Sequence, residues 1–129
     1  MRVLLDSHAL VWWLTGSRQL AASARSAIVD PETAVLVSAA SIWEIAIKHR
    51  SGKWPESGAL LVDVNGWLSQ SGFTPLPITL NHALAAGHLE SVHTDPFDRM
   101  LIAQSRIENL SVATIDPVFA AHGVPVIWR

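Results

Sequence analysis

The apolar run Val3-Leu4-Leu5, which stops at Asp6 and Ser7, constrains the fold of this chain more than any other stretch. An apolar run without polar alternation is typical of a central strand that helices cover on both faces. A carboxylate that follows such a strand lies where open parallel sheets form their binding sites. Asp6 therefore has two interpretations: a cap for the helix that follows, or one corner of an acidic cluster.

The rest of the chain alternates between strand-like and helix-like segments. Strands are predicted to end near Leu5 and to cover residues 33–37, 73–78, 111–115 and 126–128, with Pro75 and Pro77 favouring a sheet edge. Helices are predicted for residues 7–15, from Ser17 to about residue 30, and for residues 38–50, 59–71, 79–88 and 95–109. This order predicts an α/β fold with a central parallel β-sheet of about five short strands flanked by helices.

The composition of the chain excludes several classes of protein. With 129 residues, a single domain spanning residues 1–129 is expected, and the absence of cysteine excludes a disulfide-stapled fold. No membrane-length apolar run and no signal peptide are found, so we expect a cytoplasmic protein. The hydrophobic content of 50% favours a surface completed by a partner or a second copy. The net charge of −2 supports nucleic-acid binding only with help from metal ions or a local basic patch.

Four acidic side chains fall at the ends of predicted strands or in the early turns of predicted helices: Asp6, Glu44, Asp98 and Asp116. The carboxyl ends of parallel strands emerge at one edge of a sheet, so these carboxylates are expected to lie together there. Carboxylates gathered in this way persist only if some are protonated or a divalent cation binds them. Hard oxygen ligands point to Mg²⁺ or Mn²⁺, and the six histidines form no paired motif that would favour zinc.

Most of these acids also have an explanation that involves the fold alone. Asp6 and Asp116 stand where helix N-caps are expected, and Asp95, followed by Pro96, fits a cap better than a ligand. With the cap supplied by Asp95, a capping role for Asp98 is weaker. Capping therefore remains an alternative for each acid taken singly.

Glu44 is the acid whose position is hardest to explain by capping. It completes a capping-box pattern with Ser41, yet the apolar pattern of the helix begins at Ala39, which places Glu44 in the second turn. A carboxylate on a largely buried helix is costly unless it is paired or binds a metal. Lys48, four residues later, is the best local partner, and such a pair contributes little.

Several motifs follow one another along the chain in a recognisable order. They are LLDSHALVWW at the N-terminus, SAASIWEI around Glu44, HTDPFDRMLIAQ around Asp98, and the tail segments TIDPVF and GVPVIW. Together they resemble the PIN-domain ribonucleases of the VapC toxin type. The likeness runs from end to end of the chain, and the stretch around Asp98 is its most specific part.

The resemblance implies a PIN-like three-layer sandwich and a Mg²⁺- or Mn²⁺-dependent endoribonuclease, the toxin of a type II toxin–antitoxin pair. It also implies a homodimer and a small antitoxin that masks the acidic pocket. Carried onto this sequence, the catalytic, metal-binding acids are Asp6, Glu44 and Asp98, with Asp116 as a fourth, variable member. A bound cation would activate water for attack on an RNA phosphodiester bond.

The resemblance also suggests residues that support the site. Thr114 takes the position of a supporting polar residue, and Asp95 matches a residue common in this subgroup. Arg50, Lys53 and Arg99 are predicted to contact RNA phosphates, although Arg99 equally fits a pair with a nearby acid.

Two other functions fit the same residues. One is a non-catalytic regulatory or protein-binding module whose acids are helix caps. The other is an aspartyl phosphotransfer enzyme with Asp6 as nucleophile, but this reading lacks an Asp two residues after Asp6 and a Lys near the later motifs. Convergence of the carboxylates of Asp6, Glu44 and Asp98 is the geometric feature that would favour the nuclease.

Overall fold

Five strands form one parallel sheet in the computed structural model, which describes residues 1–90 and 95–128. The strands are β1 (Arg2–Leu5), β2 (Ala34–Ser38), β3 (Thr74–Leu76), β4 (Ser111–Ala113) and β5 (Val126–Ile127). Their order is β3-β2-β1-β4-β5, and every neighbouring pair is parallel. The predicted α/β fold is confirmed, and β3 lies at an edge, as Pro75 and Pro77 indicate.

Helices connect these strands. Within the described residues they are α1 (Ser7–Thr15), α2 (Ala22–Val29), α3 (Ala39–Arg50), α4 (Gly58–Val62), α5 (Val64–Ser71), α6 (Leu80–His88), α7 (Pro96–Glu108) and α8 (Val118–Ala121). A 3₁₀ turn at Pro55–Ser57 lies where the sequence indicates a loop. None of the helices in the described part of the chain has the length and apolar character needed to cross a bilayer.

Alternate residues of β1 enter two separate cores. Val3 and Leu5 pack with side chains from α1 to α5, whereas Leu4 packs with α7 and α8 on the other face of the sheet. All three side chains are completely buried. The sheet is therefore the middle layer of a three-layer sandwich, the arrangement that the apolar run predicts.

The order in which the strands are added to the sheet reverses direction at β1. β2 and β3 lie on one side of β1, and β4 and β5 lie on the other. Open α/β sheets bind ligands in the crevice that such a reversal creates beyond the carboxyl ends of the strands. Asp6 follows β1 directly, and its backbone N–H bonds to the carbonyl of Ala113 at the end of β4 (3.3 Å).

The second helix starts later than the sequence predicts. The Ser17 hydroxyl does not cap it, because it accepts a hydrogen bond from the backbone N–H of Gln19 (3.1 Å) within a local turn. That turn brings Leu20 into the core, where its side chain is only 3% exposed. The helix then begins at Ala22 without a side-chain cap.

The predicted helix over residues 59–71 is in fact two helices, α4 and α5, which meet at Asp63. The Asp63 carboxylate caps α5 by accepting a hydrogen bond from the backbone N–H of Gly66 (3.1 Å). A Cβ atom at position 66 would overlap that carboxylate. Glycine usually weakens a helix, but Gly66 makes room for the Asp63 side chain that caps α5.

Candidate active site

A cleft of about 430 Å³ lies beyond the carboxyl ends of β1 and β4. It is lined by Asp6, Ser7, His8, Trp12, Glu44, Lys48, Asp95, Asp98, Ile115, Asp116 and Pro117. All the acids that the sequence indicates for the site are in this set. They come from four separate segments: the end of β1, the middle of α3, the start of α7 and the loop after β4.

Asp6 is both a helix cap and a buried carboxylate. It is 6% exposed, and its Oδ1 accepts a hydrogen bond from the backbone N–H of Ala9 (2.8 Å). Burial raises the pKa of Asp6 from 3.8 to about 6, because the charged form loses its hydration. The negative charges of Glu44 and Asp116 add to this rise, whereas the nearby Thr114 side chain and the hydrogen bond from Ala9 lower the pKa.

Glu44 is equally buried, with 6% of its surface exposed. The Ser7 hydroxyl donates to its Oε1 (2.5 Å), and the Lys48 ammonium lies 2.7 Å from its Oε2. The predicted pair with Lys48 is therefore present. Because Ser7 follows Asp6 directly, its bond to Glu44 also ties the start of α1 to α3 and brings both carboxylates to the same cleft.

The loop after β4 carries Thr114 and Asp116. Thr114 is 1% exposed, and its hydroxyl oxygen accepts a hydrogen bond from the backbone N–H of Asp116 (3.0 Å). Asp116 Oδ1 in turn accepts from the backbone N–H of Val118 (2.9 Å), the first residue of α8. Thr114 also lowers the pKa of Asp6, so its side chain lies near both the acid after β1 and the loop after β4.

Asp95 and Asp98 reach the cleft from the start of α7. Asp95 Oδ1 accepts hydrogen bonds from the backbone N–H groups of Phe97 (2.9 Å) and Asp98 (3.2 Å), so Asp95 is the N-cap that the Asp-Pro pair predicts. Asp98 lies in the first turn and lines the cleft. The predicted turn at His93 and Thr94 lies outside the described residues.

The basic residues predicted to contact RNA do not line the cleft. Arg50 and Lys53 are exposed near the end of α3. Arg99 donates hydrogen bonds to the backbone carbonyls of Ala86 (3.0 Å) and Leu89 (2.8 Å) at the end of α6. The last carbonyl oxygens of a helix lack partners within the helix, so Arg99 stabilises the end of α6, and its contact with RNA stays a prediction.

Three polar side chains of the cleft lining were not assigned to the site from the sequence: Ser7, His8 and Lys48. The spacing between Glu44 and Lys48 predicts their ion pair, but not that α3 carries the ammonium into the cleft. His8 contacts the Trp54 ring edge-on at 5.1 Å, and burial lowers its pKa below the ordinary value of 6.5. No local pattern indicates these placements, which depend on how α1 and α3 pack.

The donor set suits a hard divalent cation, because carboxylate oxygens are the ligands that Mg²⁺ and Mn²⁺ prefer. Asp6, Glu44 and Asp98 line one cleft but do not converge closely enough to share a cation, since residues 1–90 and 95–128 contain no group of three His, Cys, Asp or Glu side chains that could hold a metal ion. Mg²⁺ does not require such a group, since it is usually held by one or two carboxylates together with water and substrate phosphate. The negative charges of Glu44 and Asp116 disfavour the charged form of Asp6, and a bound cation would reduce this repulsion.

The raised pKa of Asp6 makes its ionisation destabilising in the metal-free protein. Between pH 3.8 and about 6 the folded protein holds a proton that the unfolded chain has released, so this contribution to the free energy of unfolding falls as the pH rises through that window. In chelator, we expect Asp6→Asn to be more stable than wild type at about pH 8, by on the order of 2–3 kcal/mol, and to lose the advantage near about pH 4. Urea unfolding at both pH values measures this difference, and an advantage independent of pH would contradict the assignment.

The sequence profile of the PIN domain matches residues 3–124, which is nearly the whole chain. The chain belongs to the PIN-domain family. The PIN-domain part of the resemblance is thereby confirmed. A comparison with curated protein sequences gives no match.

This PIN domain shares its fold with solved toxin and toxin–antitoxin structures. VapBC2 from Rickettsia felis, solved with a fragment of its promoter DNA, superposes with a TM-score of 0.73 at 14% identity over 100% of both chains. VapC20 from Mycobacterium tuberculosis, described as a sarcin-ricin loop cleaving toxin, gives 0.69 at 12% identity over 95% of each chain. FitAcB from Neisseria gonorrhoeae gives 0.63 at 20% identity, covering 96% of this chain and 95% of its own. These likenesses support the PIN-like three-layer sandwich.

Proposed function

We propose that this PIN domain is a Mg²⁺- or Mn²⁺-dependent endoribonuclease, the toxin of a type II toxin–antitoxin pair that acts in the cytoplasm. The observation that carries the proposal is the single cleft lined by the carboxylates of Asp6, Glu44, Asp98 and Asp116 at the switch point of the sheet. Support for RNA as substrate comes from the sequence motifs and from VapC20, a protein of the same fold that is described as cleaving the sarcin-ricin loop.

The chemistry is metal-assisted hydrolysis of a phosphodiester bond. A bound Mg²⁺ or Mn²⁺ would lower the pKa of a water molecule, bind the scissile phosphate and offset the charge that develops during in-line attack. Asp6 and Asp98 are the proposed direct ligands, and Glu44 would hold the metal or its water. Asp116 would contribute to a second, weaker site.

The chain's own residues hold the acids in place before substrate binds. The cap bond from the backbone N–H of Ala9 fixes one oxygen of the Asp6 carboxylate, and the Thr114 side chain lies near the same carboxylate. Ser7 orients Glu44 through its hydroxyl. Preorganised ligands lower the cost of assembling the reactive geometry, which is the contribution that a rigid α/β scaffold makes to such a site.

Exposed apolar side chains support the proposed homodimer and the proposed antitoxin. Trp43 and Ile47 on α3 are 59% and 47% exposed, and Leu80 and Leu84 on α6 are 90% and 60% exposed. Apolar surface of this kind is typical of a protein–protein contact. One solved structure of the same fold is a toxin–antitoxin complex from Klebsiella pneumoniae, with a TM-score of 0.62.

Sequencing of RNA 5′ ends in cells after brief expression tests the proposed function and names the target in one experiment. We expect new ends to accumulate at a small set of positions with the wild-type protein and not with Asp6→Asn. Immunoblotting must show equal amounts of the two proteins. A wild-type sample without new RNA ends would overturn the endoribonuclease proposal.

A non-catalytic binding module is the second candidate, and one observation favours it. Asp6, Asp95 and Asp116 each accept a backbone hydrogen bond at or before the start of a helix. These bonds use only the Oδ1 atom of each carboxylate, so capping does not prevent metal binding by the other oxygen. A module of this kind would leave the RNA ends unchanged in the same experiment.

A further inference from the structure

Lys48 is the one lysine or arginine among the described residues that line the cleft. We propose that its ammonium contacts the phosphate backbone of bound RNA and that Trp54 is the positioning residue that keeps the ammonium at the cleft. This inference rests on the proposed endoribonuclease function and deepens it, because it names the side chain of the protein that would bind the phosphate backbone of the RNA.

The charge balance of the cleft requires such a group. Five carboxylates line the cleft, so an RNA strand that enters it meets negative charge on several sides. Metal ions offset part of this charge, but phosphates that flank the scissile bond need a cation from the protein. Arg50 and Lys53 lie outside the lining, and Lys48 is the group placed to meet such a phosphate.

The Lys48 ammonium is held between an acid and an aromatic ring. It lies 2.7 Å from Glu44 Oε2 and 4.6 Å from the centroid of the Trp54 ring. The Lys48 side chain is 30% exposed, against 8% for Glu44, so part of it faces the open cleft. An ammonium has three donors on a flexible stem, and it can bond a phosphate oxygen while it stays over the ring.

Trp54 adopts a backbone conformation that bulky residues rarely take. Its φ of 50° and ψ of 54° lie in the left-handed region. Such a conformation persists only where the surroundings hold it, and it is concentrated at functional sites. Here the backbone N–H of Ser57 bonds to the Trp54 carbonyl (3.0 Å), and the His8 ring meets the indole edge-on at 5.1 Å. The turn therefore holds the indole face against the ammonium of Lys48.

Glu44 connects this arrangement to metal binding. Its Oε1 accepts a hydrogen bond from Ser7, so Oε2 is the oxygen that Lys48 shares with any incoming cation. In the metal-free protein, Lys48 offsets the charge of the buried Glu44. With a cation held at Oε2, the Lys48 ammonium would keep its contact with Trp54 and would be available to a phosphate.

Binding of a fluorescein-labelled, mixed-sequence single-stranded RNA, with Ca²⁺ in place of Mg²⁺ to prevent cleavage, tests this assignment. Fluorescence anisotropy over a series of salt concentrations gives the affinity and its salt dependence. Lys48→Gln is expected to weaken binding about 3- to 10-fold and to reduce the slope of log K against log salt by about 0.7, the value for one lost phosphate contact. Lys48→Arg should retain most of both quantities.

The positioning role of Trp54 is tested with a pair of variants in the same assay. Trp54→Leu removes the aromatic face and is expected to weaken RNA binding in the same direction as Lys48→Gln. Trp54→Phe keeps an aromatic face and should restore most of the affinity. If Lys48→Gln fails to fold, Trp54→Leu and Trp54→Phe test whether the Lys48 ammonium binds RNA.

Arg2→Gln is the matched control, because it also removes one positive charge. Arg2 lies at the amino-terminal end of β1, whereas the cleft lies beyond the carboxyl ends of the strands. The Arg2→Gln protein should bind RNA with the wild-type affinity and salt slope. A Lys48→Gln protein that does the same overturns the inference and leaves the proposed function standing. A wild-type protein that neither binds nor cleaves RNA overturns both.

Discussion

Asp6→Asn is expected to lower the rate of Mg²⁺-dependent RNA cleavage by roughly 10³-fold or more while the fold is retained. Asparagine is as good an N-cap as aspartate, and its amide oxygen can accept the hydrogen bond from the backbone N–H of Ala9. What the variant loses is the negative charge proposed to bind the cation. A loss of about 4 kcal/mol in transition-state stabilisation corresponds to roughly 10³ in rate.

Initial rates of cleavage of a labelled RNA at saturating Mg²⁺ measure this effect. Asp30→Asn is the matched control, because Asp30 is exposed and lies between α2 and the amino-terminal end of β2. The cleft lies at the other end of the strands. We expect the rate of this variant to stay close to that of the wild type. Cleavage by Asp6→Asn at the wild-type rate, or by the wild type in excess chelator, would contradict the metal-nuclease mechanism.

Phe119→Ala is expected to lower the free energy of unfolding by about 3–5 kcal/mol. The Phe119 side chain is completely buried and packs with Leu4 and Val112 in the core beneath α7 and α8. Its removal leaves a cavity that the surrounding strands cannot close without moving. Because domains of this size are stable by only about 5–15 kcal/mol, the loss is a large fraction of the total.

Urea unfolding of Phe119→Ala and wild type, compared at equal m-values, measures the loss. Val62→Ala is the control, since Val62 is 88% exposed at the end of α4 and its truncation should change stability by less than about 0.5 kcal/mol. A loss below about 1 kcal/mol for Phe119→Ala would show that the second core is not packed as described.

The parts of the structure that follow from the sequence are those set by local patterns. The unbroken apolar run from Val3 to Leu5 predicts a strand covered on both faces, and these three residues are completely buried at the centre of the sheet. The pair Asp95-Pro96 predicts a helix start, and Asp95 caps α7. Glu44 is placed in the second turn of its helix by the apolar pattern, and it is buried there beside its predicted partner.

The parts that do not follow from the sequence depend on contacts between distant segments. The predicted helix over residues 59–71 breaks at Asp63 because the Asp63 side chain caps α5. The pattern of apolar residues does not predict this hydrogen bond. Arg99 has the charge expected of an RNA contact, but the end of α6 lies within its reach and offers backbone carbonyls. Lys48 enters the cleft because α3 packs beside α1, which only the assembled fold determines.

The proposed function requires the cleft carboxylates to bind a divalent cation for RNA cleavage. Anomalous X-ray diffraction from crystals soaked in Mn²⁺ tests it most directly, because the signal locates the ion without reference to activity. We predict an anomalous peak in the cleft in contact with the Asp6 carboxylate, and its loss in crystals of Asp6→Asn. Wild-type crystals with no peak in the cleft, at an Mn²⁺ concentration that supports cleavage, would contradict it.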